Sequence, residues 1–495
     1  MDLAQGFLYL LQPAPLGLLC LGTLLGIIVG ALPGLTGGAL LALTLPITYR
    51  MSSPDAVTLM TAMYVGGISG GLITATLMRI PGEPSSVVTT LDGFPMARAG
   101  RPGRALGLGI SASLIGGALS WVALVTLSPL LARWALIFGP FENFALVLMA
   151  LVLIASLSTG SMIKGLLSGS LGMLVSYPGV DETSGQLRLT LGLHEMAGGF
   201  SNLAVILGVF AISQVLADAM HVDQKFERLD MGVRGIFLSP RDYVRQSWNI
   251  LRSAVIGIWI GILPGVGASI SSIVAYSTAK TMSKTPEKFG TGFDDGIVAS
   301  ETANNANTGG ALIPMITLGI PGSPAASILL AALLLHNVQP GPTLFTNHPD
   351  VVNALMATHL AAHVVMYVMM VAGCMLIARL MYVHRAYILP IIVVLCAIGA
   401  YAENGRMFDV GTALAFGVVG FALELCAVPL GPLVIGLILA PLAEQQLRAG
   451  LMASDGSLLP LVQRPLAASF LVVSVFFFFW PLWRDARRRR AALST

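Results

Sequence analysis

Residues 300–323 read SETANNANTGGALIPMITLGIPGS and lead directly into an apolar run at residues 328–335. The asparagines of this stretch therefore lie close to hydrocarbon, which cannot satisfy their side chains or an interrupted backbone. Non-helical backbone persists at membrane depth only where protein buries it or where it lines a wet cavity. Broken helices with free N-terminal amides hold anions and ions in many transporters. The stretch predicts a transport site, and a surface loop with a capped helix start is the alternative.

The composition of the whole chain is that of a membrane protein. Of its 495 residues, 55% are hydrophobic and only 10% are charged, whereas soluble chains carry about 25% charged residues. Several apolar runs reach the ~20 residues that a spanning helix needs. We expect an all-α polytopic membrane protein with about ten to fourteen segments. The even spread of the apolar runs argues against a soluble enzyme domain.

Charge and cysteine content exclude other classes. The net charge of +3 gives no indication of nucleic-acid binding. The first apolar run has no basic segment before it, so we expect no cleaved signal peptide. The cysteines lie singly in apolar runs without metal-ligand spacing, which favours structural thiols. They are Cys20, Cys374, Cys396 and Cys426.

The second half of the chain repeats three motifs of the first half in the same order. GALPGLT at 30–36 is echoed by GILPGVG at 261–267, and IPGEP at 80–84 by IPGSP at 320–324. The third pair is RPG at 101–103 and QPG at 339–341. The spacings agree to within about ten residues, which indicates a duplication. Residues 30–38 predict a helix break, with two crossings and one re-entrant hairpin both open.

Loop charges indicate how the two copies are related. The loop at 98–104 is basic, whereas its equivalent at 341–358 contains neither lysine nor arginine. Conversely, only Arg50 flanks the first Pro-Gly break, while the second lies between Arg252 and Lys280. Basic loops stay in the cytoplasm, so equivalent loops are expected on opposite sides. This predicts two inverted-topology repeats with discontinuous or re-entrant helices.

The polar segments divide the chain into four parts. Residues 1–220 and 253–480 are the N-terminal and C-terminal membrane repeats. Residues 221–252 are predicted to form a cytoplasmic linker, because this longest polar stretch is rich in basic residues. Residues 481–495 form a basic cytoplasmic tail after an aromatic-rimmed last span. Since this basic run begins immediately at the membrane, a membrane anchor is favoured over a nucleic-acid tail.

Together, these motifs resemble the large membrane subunit of the tripartite tricarboxylate transporters, the TctA type. The resemblance implies a multi-pass secondary transporter of a bacterial inner membrane, driven by a cation gradient. It also implies a small membrane partner subunit, a periplasmic substrate-binding protein, and carboxylate substrates such as citrate. The resembling stretches cover nearly the whole chain: 30–38, 81–93, 98–106, 301–306, 309–322, 432–444 and 464–465.

Two residues depart from the family pattern. Arg79 stands where a neutral polar residue, commonly asparagine, is expected, and it could alter substrate preference. Ser300 stands where the family segment usually has proline, and it could reshape a turn. Arg79 is predicted to clamp a substrate carboxylate bidentately, with an ion pair to Glu83 as the alternative.

A di- or tricarboxylate needs hydrogen-bond donors and positive potential that can release it again. Pro-Gly breaks expose helix N-termini, each worth about half a unit of positive charge, and neutral donors beside them avoid the deep trap of a full charge. The alternative is that these residues only cap helices and pack glycine-rich interfaces. The predicted substrate-binding residues are Thr36, Arg79, Pro81, Gly82, Ser85, Ser86, Asn304, Asn305, Asn307, Thr308, Pro321, Gly322 and Ser323.

The coupling ion is predicted to be Na⁺ or H⁺, with no other cofactor. Backbone carbonyls freed near Gly34 and Gly265 offer oxygen ligands for Na⁺. Glu301 could bind the cation or cap a helix. Glu424 is a candidate proton or cation site inside an apolar run, with burial against a partner helix as the alternative.

Three further polar residues have less specific signals. His359 and His363 are spaced i,i+4, which can place two metal ligands on one helix face. No third ligand is apparent, so a polar helix face is favoured over a metal site. Asp92, which precedes a glycine, is expected to be a turn or cap residue.

The function predicted from these features is carboxylate import by a secondary active transporter subunit. An intramembrane enzyme is the first alternative, but paired catalytic acids and the HExxH and Walker motifs are missing from the sequence. A channel without a binding-protein partner is the second alternative. Channels tend to need a continuous filter ring, and a twofold repeat with broken helices fits alternating access better.

Overall fold

The computed structural model describes residues 2–32, 36–157, 162–181, 184–220, 235–380 and 385–493. Most of these residues are helical, and the sheet in this part of the chain is one short hairpin of β1 (Gly179–Val180) and β2 (Leu187–Arg188). Within the described ranges, seven helices are long and apolar enough to cross a membrane, and several shorter apolar helices accompany them. The predicted all-α polytopic membrane fold is confirmed.

The described residues of the first half contain ten α-helices and a π-helical segment, Leu207–Ile212, that joins the last two. The helices are α1 (Leu3–Leu10), α2 (Pro13–Ala31), α3 (Gly37–Thr48), α4 (Ser53–Met78), α5 (Thr89–Arg98), α6 (Pro102–Ala135), α7 (Pro140–Leu157), α8 (Met162–Ser176), α9 (Asn202–Ile206) and α10 (Ser213–Ala219). A short 3₁₀ turn, Pro84–Ser86, stands between α4 and α5. Another 3₁₀ turn, His194–Gly198, precedes α9.

The described part of the second half contains eleven α-helices. They are α11 (Pro240–Ile262), α12 (Gly267–Met282), α13 (Asp294–Leu318), α14 (Pro324–Leu335), α15 (Leu344–Asn347), α16 (Pro349–Leu380), α17 (Arg385–Asn404), α18 (Met407–Leu425), α19 (Leu430–Ala453), α20 (Pro460–Gln463) and α21 (Pro465–Leu493). The segment predicted as a linker is thus helical from Pro240 onward, and α21 runs through most of the basic tail. The cytoplasmic location of both segments stays a prediction.

Helix starts follow the local sequence. Ser52 caps α4 through the amide of Asp55, and proline occupies one of the first positions of that helix. Ser239 and Asp242 form a reciprocal capping box at the start of α11. Such caps satisfy amides that have no partner inside a helix. Short polar residues before proline therefore fix where both long helices begin.

The backbone break lies after the asparagines rather than among them. The expected interruption of residues 300–323 lies at residues 319–323, because α13 runs without a break from Asp294 to Leu318 and α14 begins at Pro324. Its asparagines are buried inside the protein, where a helix satisfies their backbone groups. Gly319 ends the helix with a φ of 71° and donates its amide to Met315. Ser300 also lies inside this helix, so the turn that it was expected to reshape does not exist.

Helices of each half pack against helices of the other half. The duplication predicted from the sequence makes α4 correspond to α13 and α6 to α16. Helix α4 packs along α2 of its own half and along α16 of the other half. Helix α13 packs along α11 of its own half and along α6 of the other half. The most buried helix of each copy therefore stands between both halves.

Candidate functional site

A cavity of about 580 Å³ lies where the Pro-Gly segments of the first copy meet those of the second copy. Thr36, Gly38 and residues 83–85 line it from the first copy, and residues 265–270 and 323–325 line it from the second. Tyr64 and Ile68 of α4 contribute to its wall. The remaining lining residues are Phe210, Gln214, Glu424 and residues 427–432. The equivalent motifs of the two copies thus share one cavity.

Four helices begin at this cavity. The cap of α3, Thr36, and the first residues of α12, α14 and α19 all line it. The N-terminus of a helix carries a partial positive charge of about half a unit and presents unpaired amides. Anions bind readily at such ends. The convergence of helix starts therefore makes the cavity favourable for a negatively charged group.

Two equivalent glycines that do not line the cavity make close backbone contacts next to the residues that do. A β-carbon on Gly82 would lie 2.2 Å from the carbonyl oxygen of Gly30. A β-carbon on Gly322 would lie 2.1 Å from the carbonyl oxygen of Gly261. No side chain fits at either distance. The predicted binding residues Gly82 and Gly322 therefore bring each motif against the helix break of its own copy.

Glu83 is the carboxyl group closest to one of the helix starts. Its Oε2 accepts a hydrogen bond of 2.7 Å from the amide of Gly37, the first residue of α3. Ser86, a predicted site residue, donates from Oγ to the carbonyl of Glu83 at 2.8 Å and so shapes this loop. Pro81, which precedes Gly82, does not line the cavity.

Hydroxyl groups supply most of the neutral donors in the cavity. Ser323 Oγ lies 3.0 Å from the hydroxyl of Tyr64 and accepts from the amide of Ala326 at 3.1 Å. Ser85 is 2% exposed, and its Oγ has no hydrogen-bond partner among the described residues. A buried hydroxyl without a partner costs about 1–3 kcal/mol, so Ser85 is a candidate for ligand contact.

Backbone hydrogen bonds join the second motif to the start of α12. The amide of Gly265 donates to the carbonyl of Pro321, and the amide of Gly267 donates to that of Gly322, both at 3.3 Å. The predicted substrate-binding residues Pro321 and Gly322 thus fix the backbone at the helix break of the second copy. Gly265 itself lines the cavity and has a φ of 70°. Its counterpart Gly34, also predicted for the coupling ion, lies outside the described residues.

Glu301 and Asn305 lie apart from the cavity, in an interior polar cluster that also contains Ser69, Thr89 and Ser113. Thr89 donates from Oγ1 to Glu301 Oε1 at 2.5 Å, and Ser113 donates to Oε2 at 3.4 Å. Asn305 accepts from Ser69 at 2.7 Å and donates to Ser113 at 2.8 Å. Every member of this cluster is fully buried. The structure therefore places the predicted residues Glu301 and Asn305 outside the cavity.

Thr308 extends these polar contacts toward the two histidines. Its Oγ1 donates to the carbonyl of Asn305 at 2.7 Å and lies 3.0 Å from His359 Nε2. His363 Nδ1 lies 2.7 Å from the carbonyl of His359. Within the described ranges, no group of three metal-ligating side chains includes this pair. The histidines are thus buried helix residues that hydrogen-bond to their neighbours.

Asn304 and Asn307 are fully buried on the same helix and do not line the cavity. Asn307 donates from Nδ2 to the carbonyl of Gly257 at 3.4 Å. The Oδ1 atoms of both asparagines lack a hydrogen-bond donor in the part of the chain that the structure describes. Such buried acceptors are available to a donor or a cation that the protein itself does not supply.

Arg79 stands away from the cavity at the end of α4. It is exposed, has a left-handed φ of 59°, and places its guanidinium 6.0 Å from the centre of the Phe94 ring. The ion pair with Glu83 is not formed, because Glu83 faces Gly37 instead. Arg79 occupies the position that Gly319 takes in the second copy. In this structure it ends a helix and does not line the cavity.

We expect Arg79→Gly to leave uptake unchanged and to raise the free energy of unfolding by up to about 1 kcal/mol. Glycine adopts a left-handed conformation without the cost that a β-carbon adds. Uptake in proteoliposomes and thermal unfolding of the purified protein measure the two effects. Loss of uptake at unchanged stability would instead support the predicted clamp on a substrate carboxylate.

Asp92 is a capping residue that joins the halves. Its Oδ1 accepts the amides of Gly290, Gly292 and Phe293 at 2.8–2.9 Å. Its Oδ2 accepts from the hydroxyl of Tyr276 at 2.8 Å. The carboxyl group of α5 thereby organises the loop that leads into α13.

Several cavity residues are not among the predicted binding residues. The sequence does set Glu83 apart, because the two copies read IPGEP and IPGSP and differ at this residue. The start of α19 lies two residues before the stretch 432–444 that resembles the family, and no repeated Pro-Gly motif marks it. Tyr64 and Gln214 have no signal in a single sequence, since both lie within helices. Glu424, the candidate proton or cation site, does line the cavity.

Comparison with known proteins decides the family. The sequence profile of the tripartite tricarboxylate transporter TctA family matches residues 16–435. The chain belongs to this family. The TctA family is a transporter family, so the chain is a transporter subunit and not an enzyme. Together with the apolar helices, membership makes it a multi-pass protein of the inner membrane that works in a transporter with other subunits.

Two similar proteins come from Agrobacterium vitis. One, described as an uncharacterized 52.8 kDa protein in the TAR-I ttuC' 3'region, is 34% identical over 477 residues, which cover 96% of this chain and 94% of that protein. Another, described as an uncharacterized protein in the TAR-II ttuC' 3'region, is 31% identical over 234 residues, or 47% of this chain and 97% of that protein. No solved structure matches the chain.

Proposed function

We propose that this TctA-family subunit imports a carboxylate, such as citrate or a related organic acid, by secondary active transport. The observation that carries this proposal is the meeting of both Pro-Gly motifs, with four helix starts, at one cavity. Helix N-termini and neutral hydroxyls attract an anion and still release it on the other side. A fixed full positive charge in the cavity would bind the substrate more tightly but would slow its release.

The equivalent contacts of the two copies favour a mechanism in which one repeat moves against the other. Equivalent glycines make equivalent contacts in the two copies, since Gly82 meets Gly30 and Gly322 meets Gly261. Inverted repeats in transporters typically place the substrate at the repeat interface and alternate access by rigid-body movement. The cavity lined by both copies supports this proposed mechanism.

We propose Na⁺ or H⁺ as the coupling ion, with Glu301 as its principal ligand or carrier. Glu301 is a fully buried carboxyl group with the hydroxyls of Thr89 and Ser113 beside it. Ionisable groups inside membranes are costly and commonly mark ion or proton pathways. We expect Glu301→Gln to remove the dependence of uptake on the cation gradient, while Glu195→Gln, on a loop segment, retains it.

The proposed partners are a small membrane subunit and a periplasmic protein that delivers the carboxylate. Reconstituted uptake of a panel of mono-, di- and tricarboxylates tests this, with and without a Na⁺ gradient and with and without the binding protein. We expect accumulation only when both are present. A channel without a binding-protein partner is the alternative, and accumulation that ignores both gradient and binding protein would support it.

The proposed inverted topology is tested by cysteine labelling. Arg98, at the end of α5, and Thr346, in the short helix α15, are exposed residues in the segments 98–104 and 341–358 that correspond in the two copies. In a background without the four native cysteines, Arg98→Cys and Thr346→Cys are expected to react with a membrane-impermeant maleimide from opposite sides. Labelling of both thiols from the same side would contradict the inverted repeat.

A further inference from the structure

The two copies of the Pro-Gly motif differ in one chemically important residue. The first reads IPGEP at 80–84 and the second reads IPGSP at 320–324, so Glu83 corresponds to Ser323. In the first copy, the carboxyl group of Glu83 accepts the amide of Gly37 at the start of α3. The protein therefore places its own carboxyl group at one helix N-terminus of the cavity.

The equivalent helix start in the second copy is that of α12. There, Ala268 corresponds to Gly37, and it lines the cavity together with Ser269. Thr36 caps α3 through the amide of Ala39, whereas no side chain caps α12. Ser323 cannot substitute for Glu83 there, because its hydroxyl caps α14 and contacts Tyr64. The start of α12 thus lacks the carboxyl group that its counterpart has.

A second observation points to a ligand at the same place. Ser85 lines the cavity, is 2% exposed, and has an Oγ without a partner among the described residues. Ser272 of α12 donates from Oγ to the carbonyl of Ser85 at 2.9 Å, so Ser85 lies beside the first turns of α12. An unpaired hydroxyl therefore adjoins a helix start that no side chain caps, where only the first amide, that of Gly267, is paired with a backbone carbonyl of the described chain.

We infer that the N-terminus of α12 is where the cavity receives a carboxylate group of the substrate, with Ser85 as a side-chain donor. Glu83 fills the corresponding position at α3 with the protein's own carboxyl group. The inference rests on the proposed function and names the position at which this class of substrate is held. The hydrogen bond from the amide of Gly37 to Glu83 shows how a carboxyl group binds at the start of α3, and we expect a substrate carboxylate to bind in the same way at the start of α12.

The test places a carboxyl group of the protein at the second position. Ser323→Glu reproduces the first-copy motif, and Ser323→Gln is its neutral match, since both variants lose the hydroxyl that caps α14. Binding of citrate and of succinate to the purified full chain is measured by calorimetry. We expect Ser323→Glu to bind these carboxylates at least about tenfold more weakly than Ser323→Gln, the cost of one charge-assisted contact. Equal affinities for the two variants would overturn the inference.

Ser85→Ala tests the inference without altering a cap. We expect it to weaken carboxylate binding by about five- to tenfold, while the unliganded protein melts at a temperature no lower than that of wild type, because no side-chain hydrogen bond is lost. Unchanged affinity would overturn the assignment of Ser85, even if Ser323→Glu failed to fold. If the wild-type chain bound no carboxylate, the proposed function would fall and this inference with it. Wild-type binding with unaltered variants would overturn only the inference.

Discussion

Gly322→Ala is expected to destabilise the protein by about 3 kcal/mol or more. The added β-carbon would lie 2.1 Å from the carbonyl oxygen of Gly261 and 2.7 Å from the α-carbon of Ala311. Both atoms belong to the backbones of long helices, so neither can rotate away as a side chain would. The clash would force the second Pro-Gly motif away from α11 and α13 and distort the cavity.

Thermal unfolding and the yield of monodisperse protein in detergent measure this effect. Gly17→Ala is the matched control, because nothing lies within 4 Å of a β-carbon at that position in α2. Alanine there is expected to be neutral or slightly stabilising, since it is the better helix former. The packing account would be wrong if the two variants unfolded at the same temperature.

Asp92→Ala is expected to have an effect of similar or larger size. Its carboxyl group accepts three backbone amides and one tyrosine hydroxyl, and it is fully buried. Alanine would leave these donors without an acceptor, at a cost of about 1–3 kcal/mol for each donor that stays buried. We expect the free energy of unfolding to fall by at least about 4 kcal/mol. We also expect the two halves to fail to assemble.

The Asp92→Asn variant separates the effect of the carboxylate charge on stability from the effect of the side-chain shape. Asp92→Asn keeps one oxygen for the three amides, so we expect it to lose less stability than Asp92→Ala. Asp350→Ala removes an exposed acid from the first turn of α16 and serves as the control. Proteolysis of the loop at residues 283–293 reports on the assembly of the halves. Wild-type resistance to proteolysis in Asp92→Ala would contradict the proposed cap.

The part of the site that depends on backbone breaks was predictable from the sequence. Proline and glycine act on their own backbone, so their repetition in both halves indicates where helices end without knowledge of the packing. The structure brings the residues that follow both motifs, such as Ser85 and Ser323, to one cavity. The duplicated pattern was therefore a sufficient signal for this shared position.

The placement of the asparagines was not predictable in the same way. Asn304, Asn305 and Asn307 are poor helix formers, and a polar run with glycines is typical of a loop. Tertiary packing overrides this preference, because α13 is enclosed by α6, α11 and α4, and its small residues let these helices approach closely. A single sequence does not reveal which helices will surround a polar segment.

Arg79 and Glu83 show a second limit. Arginine beside a Pro-Gly motif suggests a carboxylate clamp, but its left-handed backbone and its exposure are properties of the folded chain. Glu83 reaches the amide of Gly37, which is 46 residues away in the sequence. Such a contact follows only from the way in which α3 and the first motif pack together.

The most direct test of the central claim uses thiols at two equivalent positions of the cavity. Ser85 and Ala325 occupy the same place in the two motif copies, and both line the cavity. In a cysteine-free protein, Ser85→Cys and Ala325→Cys are each exposed to N-ethylmaleimide, with and without the carboxylate that supports the fastest uptake. We predict that this one carboxylate slows the alkylation of both thiols. Alkylation of either thiol at an unchanged rate under saturating carboxylate would contradict a shared binding cavity.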